Sequence, residues 1–264
     1  MRPSILCFSG LDPCGGAGLQ ADIESIFQCG GHTLPIASCL TVQNTLGVSS
    51  VSPVKNDLIQ QQATAIIEDM EIAACKIGAI ANQDTAHIIA EIITDFPSIP
   101  VIYDPVLMPT QGQPFADLIT LKAIQQTILS KVDIITPNHN ELALLTQSSH
   151  RSAHTPPLIE RIQSLGQLGP KHILLTGADE KSTEVNNVLY NHNTLVETYT
   201  WKRLANNYHG SGCTMSSALA CFLALGESIQ DASLHAQLYT YETLKHAQSL
   251  GHGQMIPTRN RVHQ

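Results

Sequence analysis

Short apolar runs recur along this chain. Each is cut off by glycine, proline or a polar loop and is followed by a stretch with helical spacing. No other feature constrains the fold as much. The runs at 4–9 (SILCFS), 34–40, 73–77, 101–104 (VIYD), 132–135 and 172–175 have the length of buried strands. Helical spacing is expected over 17–29, 57–70, 82–96, 115–130, 141–146, 157–168 and 229–249, with Asp57 and Asn82 as N-caps. Residues 41–47 read as a polar turn before an alternating strand at 48–54, and 185–190 with 195–201 read as a hairpin. Strands that alternate with helices pack as a mostly parallel sheet covered on both faces. The expectation is therefore an α/β fold with a mostly parallel central sheet. The 264 residues show no repeat, linker or composition break, so 1–264 is read as one domain.

Such sheets bind ligands beyond the carboxyl ends of their strands. The polar loops after those runs put Asp12, Gln43, Asp104, Asn138 and Glu141 on one rim. The stretch HGSGCTMSSALACFLAL, from His209 to Leu225, is expected to open on the same rim. Gly210, Ser211 and Gly212 precede a run of good helix formers, so they sit at a helix N-terminus with free N–H groups. Cys213 falls in the first turn, where the helix dipole favours a thiolate. Two readings stand on this stretch alone. One is an anion hole beside a catalytic base; the other is a glycine turn before a buried helix with an inert cysteine.

Several function classes drop out. The formal charge of −8, from 14 basic and 22 acidic residues, disfavours nucleic acid and anionic membrane as partners. No apolar run reaches the length of a membrane span. Seven scattered cysteines without a CxxC pair point to reduced thiols in a cytoplasmic protein, and to neither a disulfide framework nor a zinc site. His150 and His154 have i,i+4 spacing but sit in a polar stretch before two prolines, which reads as a solvated loop. The segment GAGLQA fits a dinucleotide fingerprint but lacks the acidic residue about 20 positions on. The segment GLDPCGG has P-loop glycine spacing without the Lys and Ser/Thr that bind phosphate and metal.

Asp104 ends a strand before Pro105, and Asn138 with Glu141 forms N-x-x-E after another strand. A strand-end cap and a helix first-turn acid explain each alone. Together they also suit a hard cation such as Mg²⁺, held through carboxylates and substrate phosphates.

The motifs SGLDPCGGAGLQADIE (9–24), LTVQNTLGV (40–48), KIG (76–78), DPVL (104–107), TPNHNE (136–141), LLTGAD (174–179) and HGSGCT (209–214) occur in this order over nearly the whole length. Through them the chain resembles the hydroxymethylpyrimidine and phosphomethylpyrimidine kinases of the ribokinase-like superfamily. The resemblance implies a three-layer αβα fold, ATP and Mg²⁺ as cofactors, a small pyrimidine substrate and a homodimer. It implies that Gly10, Asp22, Gln43, Ala79 and Val106 bind the aminopyrimidine. Asn138, Thr176, Gly177 and Thr214 would serve the nucleotide, and Asp104 and Glu141 the metal. Gly210, Ser211 and Gly212 would donate to the transferring phosphoryl, and Cys213 would take the hydroxymethyl proton. The chain departs from the family pattern at Leu11, at Cys14 (usually Ser), at Ala79 (usually Met), in LMPTQGQPF and at His252. Pyridoxal kinase, which shares the GxGC element, is the nearest alternative. A non-catalytic relative and a nucleotide-dependent oxidoreductase are more distant.

Overall fold

The computed structural model describes residues 2–96, 98–108, 114–146 and 156–260. Among these residues nine strands form one sheet: β1 (Ser4–Leu11), β2 (His32–Asn44), β3 (Gly47–Pro53), β4 (Ala74–Ile77), β5 (Val101–Tyr103), β6 (Ile134–Ile135), β7 (His172–Leu175), β8 (Glu184–Asn191) and β9 (Thr194–Lys202). Their order is β3-β2-β1-β4-β5-β6-β7-β8-β9. The six strands from β2 across to β7 are parallel, and antiparallel hairpins flank them on both sides.

Among the described residues eight α-helices cover the sheet: α1 (Gly18–Gln28), α2 (Asn56–Ile67), α3 (Gln83–Thr94), α4 (Leu118–Ala123), α5 (His139–Thr146), α6 (Leu158–Gln167), α7 (Ser211–Ala224) and α8 (Ile229–Lys245). The pleat sorts alternate residues of β1 to opposite faces. Leu6 and Phe8 join a core with α2 to α6, whereas Ile5 and Cys7 join one with α1, α7 and α8. Each such side chain, wholly buried, contributes about 1.5–3 kcal/mol. The result is the expected three-layer αβα arrangement.

Some local expectations change. The stretch 41–47 is no simple turn: β2 continues to Asn44 and pairs with β3 from Thr41↔Val51 to Asn44↔Gly47. It reads as polar because this hairpin overhangs the sheet, leaving Val42 62% exposed. Asp57 does not cap α2. Lys55 occupies that position without a side-chain bond, and Asp57 is an acid in the first turn. Asn82 does cap α3, accepting from the Thr85 N–H at 2.7 Å. Residues 115–130 contain α4, which continues through a π turn (Ile124–Ile128) into a 3-10 turn (Leu129–Lys131). Helix α8 ends at Lys245, short of Ser249. His150, His154 and residues 109–113 lie outside the described residues.

The chain leaves β1 toward β2 on one side and reaches β4 on the other. A crevice therefore opens above β1 and β4, at the carboxyl ends of the parallel strands.

Candidate active site

A cavity of about 560 Å³ occupies that crevice. Gly10 lines it from the end of β1, Gln43 from β2 and Ala79 from the loop after β4. Asp104 and Val106 follow β5, Asn138 and Glu141 follow β6, and Thr176 follows β7. Gly210, Ser211, Gly212 and Cys213 close the opposite wall at the start of α7. Residues separated by up to two hundred positions thus meet because each follows a parallel strand or opens a helix on the same side.

The start of α7 depends on close backbone approach. Gly210 has φ +75°, and a Cβ there would run into the Gly16 carbonyl and Ala17. Only glycine meets both conditions. The turn brings the β1–α1 loop against α7. Asp12 holds that loop: its Oδ2 accepts from Gly16 N (3.0 Å) and Ala17 N (2.9 Å), and its Oδ1 from Cys14 N (2.9 Å). His209 Nε2 sits 2.8 Å from Asp12 Oδ2 and ties the loop to the residues before α7. Burial works against the Asp12 charge. The His209 ring and the Cys14 thiol and N–H outweigh it and hold the carboxyl below the usual range.

Arg259, from the C-terminal segment, fastens the same region from behind. It is 2% exposed; its Nε donates to Thr214 Oγ1 at 2.9 Å, and its terminal nitrogens reach the Gly15 and Gly16 carbonyls and Glu24.

Three expected site residues do not line the cavity. Asp22 is fully buried beneath it. It accepts from Lys76 Nζ (2.9 Å), Ser217 Oγ (2.7 Å) and Ser9 Oγ (2.6 Å). Its oxygens are spent on these partners, so direct contact with a substrate ring is corrected to an internal ion pair. Thr214 is also fully buried; its hydroxyl donates to the Gly210 carbonyl at 2.8 Å and accepts from Arg259, so it shapes the turn from within. Gly177 sits between cavity residues Thr176 and Ala178, but its N–H donates to Asn187 and its carbonyl accepts from Arg203.

Lys76, part of the KIG motif, is the partner of Asp22. A lysine inside the apolar run ACKI must find a partner once buried, which was the available signal. Burial opposes its charge, but Asp22, with Cys213, Asp104 and Cys7 adding, holds the ammonium above its usual range.

The thiol of Cys213 also departs from expectation. Burial pushes it up to about 12. Lys76 pulls it down, but Asp104 and Asp22 push it further up, so the helix terminus does not leave a thiolate at neutral pH. Asp104 acts on the thiol as a nearby charge.

Asn138 and Glu141 form a reciprocal capping box at α5: Glu141 N donates to Asn138 Oδ1 and Asn138 N to Glu141 Oε2, both at 2.9 Å. The box accounts for one Glu141 oxygen only. Burial, then Asp104, pushes the Glu141 carboxyl well above its usual value. Burial also raises Asp104, against relief from Lys76 and Ser216. Neither carboxylate forms an ion pair among the described residues. Two buried acids facing one cavity fit a hard divalent cation, whose charge removes the penalty both carry.

A sequence profile described as Phosphomethylpyrimidine kinase matches residues 12–258. A hydroxymethylpyrimidine/phosphomethylpyrimidine kinase of Staphylococcus aureus is 29% identical over 255 residues, covering 96% of this chain and 92% of that protein. A probable thiamine biosynthetic bifunctional enzyme, chloroplastic, of Oryza sativa subsp. japonica is 29% identical over 265 residues. The match takes in 97% of this chain but spans only 47% of that longer protein. Among solved structures, the ADP complex of Bacillus subtilis pyridoxal kinase superposes with a TM-score of 0.85 at 23% identity, covering 98% of both chains. That likeness shows a shared three-layer fold. No helix among the described residues is long and apolar enough to cross a membrane.

Proposed function

Because the chain belongs to the phosphomethylpyrimidine kinase family and is a kinase, we propose that it phosphorylates 4-amino-5-hydroxymethyl-2-methylpyrimidine with ATP, first to the monophosphate and then to the diphosphate, in thiamine biosynthesis. The observation that carries this reading is the meeting, in one cavity, of Gln43, the buried pair Asp104 and Glu141, and the glycine-framed start of α7.

Gln43 presents a donor and an acceptor to a ring nitrogen and its neighbouring amine. Val106 and Ala79 pack on the ring, and Gly10 lets it approach β1. The N–H groups of Gly210, Ser211 and Gly212 face the phosphoryl oxygens, where charge develops during transfer. Asn138 and Thr176 border the nucleotide phosphates, and Asp104 and Glu141 would hold Mg²⁺. The metal, when bound, neutralises charge on the phosphate oxygens. Adenine nucleotide use has support in the pyridoxal kinase of the same fold, which holds ADP.

The thiol pKa changes the part given to Cys213. A thiol held near 12 is no resident base. Cys213 then acts by position beside the hydroxymethyl oxygen, and Asp104, on the same cavity wall, is the nearby carboxylate that can take its proton. The first step transfers to a neutral alcohol; the second transfers to an anionic phosphate and needs no proton removal. Cys213→Ala is therefore expected to slow the first step far more than the second. Equal loss in both would reduce Cys213 to a wall of the anion hole.

Pyridoxal phosphorylation is the second reading, favoured by the short Ala79 side chain on the ring wall. A product assay with ATP and Mg²⁺, offering pyrimidine and pyridoxal in parallel, separates the two. Diphosphate from the pyrimidine supports the first reading. Pyridoxal phosphate alone overturns it, and turnover of neither removes both.

A homodimer is also proposed, since Leu11, Leu40, Val42 and Leu46 expose an apolar patch around the β2–β3 hairpin. Seven free thiols suit a reducing cytoplasm.

A further inference from the structure

At the rim of the cavity, Asp12, Cys14 and His209 bring a carboxylate oxygen, a sulfur and a ring nitrogen within 4.8 Å of one another. His209 Nε2 lies 2.8 Å from Asp12 Oδ2, and Cys14 Sγ lies 3.4 Å from the same oxygen. We propose that these three side chains form a site for a soft divalent transition metal, of which Zn²⁺ is the type.

The ligand chemistry is the first ground. One thiolate, one imidazole and one carboxylate match the donor set zinc prefers, and they differ from the all-oxygen pair Asp104 and Glu141. Spacing is the second. Zinc bonds of about 2.0–2.3 Å in a tetrahedron separate ligand atoms by roughly 3.3–3.6 Å. The sulfur–oxygen distance already fits, and the nitrogen–oxygen distance needs to open by about half an ångström. Support is the third. The Cys14, Gly16 and Ala17 N–H groups fix the Asp12 carboxylate in place, as second partners do around metal ligands. Access is the fourth, because Cys14 and His209 are only half-buried.

Binding replaces the Cys14 S–H bond, and any proton on His209 Nε2, by metal bonds, and those protons pass to solvent. Three protein ligands leave a fourth tetrahedral position for water or a phosphate oxygen. The ion would join the β1–α1 loop to the segment before α7 across 197 positions of sequence. It would thereby fix the β1–α1 loop against the start of α7. The site stands on this geometry and not on the kinase reading. Its rival is a clasp made of hydrogen bonds alone.

Co²⁺ titration of the purified full chain separates the two. The expected result is one Co²⁺ per chain with a thiolate-to-cobalt absorption band in the near ultraviolet. Zn²⁺ displaces it and excess Mg²⁺ does not. The band disappears in Cys14→Ser and in His209→Gln and persists in Cys213→Ser. Absence of the band in the natural protein, or its survival in Cys14→Ser, overturns the proposal. X-ray absorption of the zinc-loaded natural protein needs no variant: one sulfur with nitrogen and oxygen neighbours is expected, and a shell without sulfur sinks the site.

Discussion

Replacing Lys76 with methionine tests the buried charge network under the cavity. Both members of the Lys76–Asp22 pair are fully buried, and their charges are 2.9 Å apart. Methionine fills most of the lysine volume but removes the ammonium. Asp22 then keeps only the Ser9 and Ser217 hydroxyls, two neutral donors for one buried carboxylate. Breaking one side of a buried pair costs about 3–5 kcal/mol, because the remaining charge stays desolvated. At roughly 2 cal/mol/K of unfolding entropy per residue, that lowers the melting temperature of a chain this size by about 5–9 °C. Equilibrium urea unfolding and calorimetry measure the loss directly. The double variant Lys76→Met with Asp22→Asn leaves no charge at this pair, and its amide can accept from one serine and donate to the other. It should recover about 2 kcal/mol or more of the single-variant loss. A loss below about 1 kcal/mol in the single variant, or simple additivity in the cycle, would refute the reasoning.

Three further outcomes follow from the same structure. Glu141→Gln keeps the capping box but removes a carboxyl whose folded pKa is raised. The unfolded chain ionises first, so Glu141 makes the metal-free protein lose stability as pH rises from about 4.5 through the folded value. Thermal melts across pH 4–8 should show a flatter profile in the variant, while its Mg²⁺ requirement in the kinase assay rises at least ~10-fold. Arg259→Met removes a buried donor to Thr214 and to the Gly15 and Gly16 carbonyls and should cost about 3–5 kcal/mol in urea unfolding. Arg259→Lys should restore under half of this, since one ammonium cannot span the three acceptors. Gly210→Ala forces a side chain into a left-handed turn against the Gly16 carbonyl; a loss of about 2 kcal/mol or more, with reduced turnover, is expected by calorimetry and product assay.

Much of the architecture is readable from local pattern. The runs at β1, β4, β5 and β7 are short and apolar with breakers at their ends, and such strands need no distant information to be recognised. The β2–β3 hairpin was harder. Its polar residues look like a turn because they overhang the sheet, and only strand pairing shows that they are extended. At the site, Gln43, Asp104, Asn138 and Glu141 were legible because each follows a strand on the ligand-binding side. Asp22 was misplaced, since family likeness points to the ring but not to the lysine that sits between. Arg259 was missed because one arginine in a polar tail gives no sign of the buried carbonyls it will meet.

The alternation of strand and helix, the glycines framing α7 and the N-x-x-E box belong to the sequence itself, because backbone geometry and capping act over a few residues. The state of the charged groups does not. Whether Asp22 faces substrate or Lys76, whether the Cys213 thiol sits low or near 12, and whether Asp12 meets His209 depend on desolvation and on through-space neighbours as far as 197 positions away. Coulomb and solvation energies follow distance in space, so those answers exist only once the chain has closed on itself.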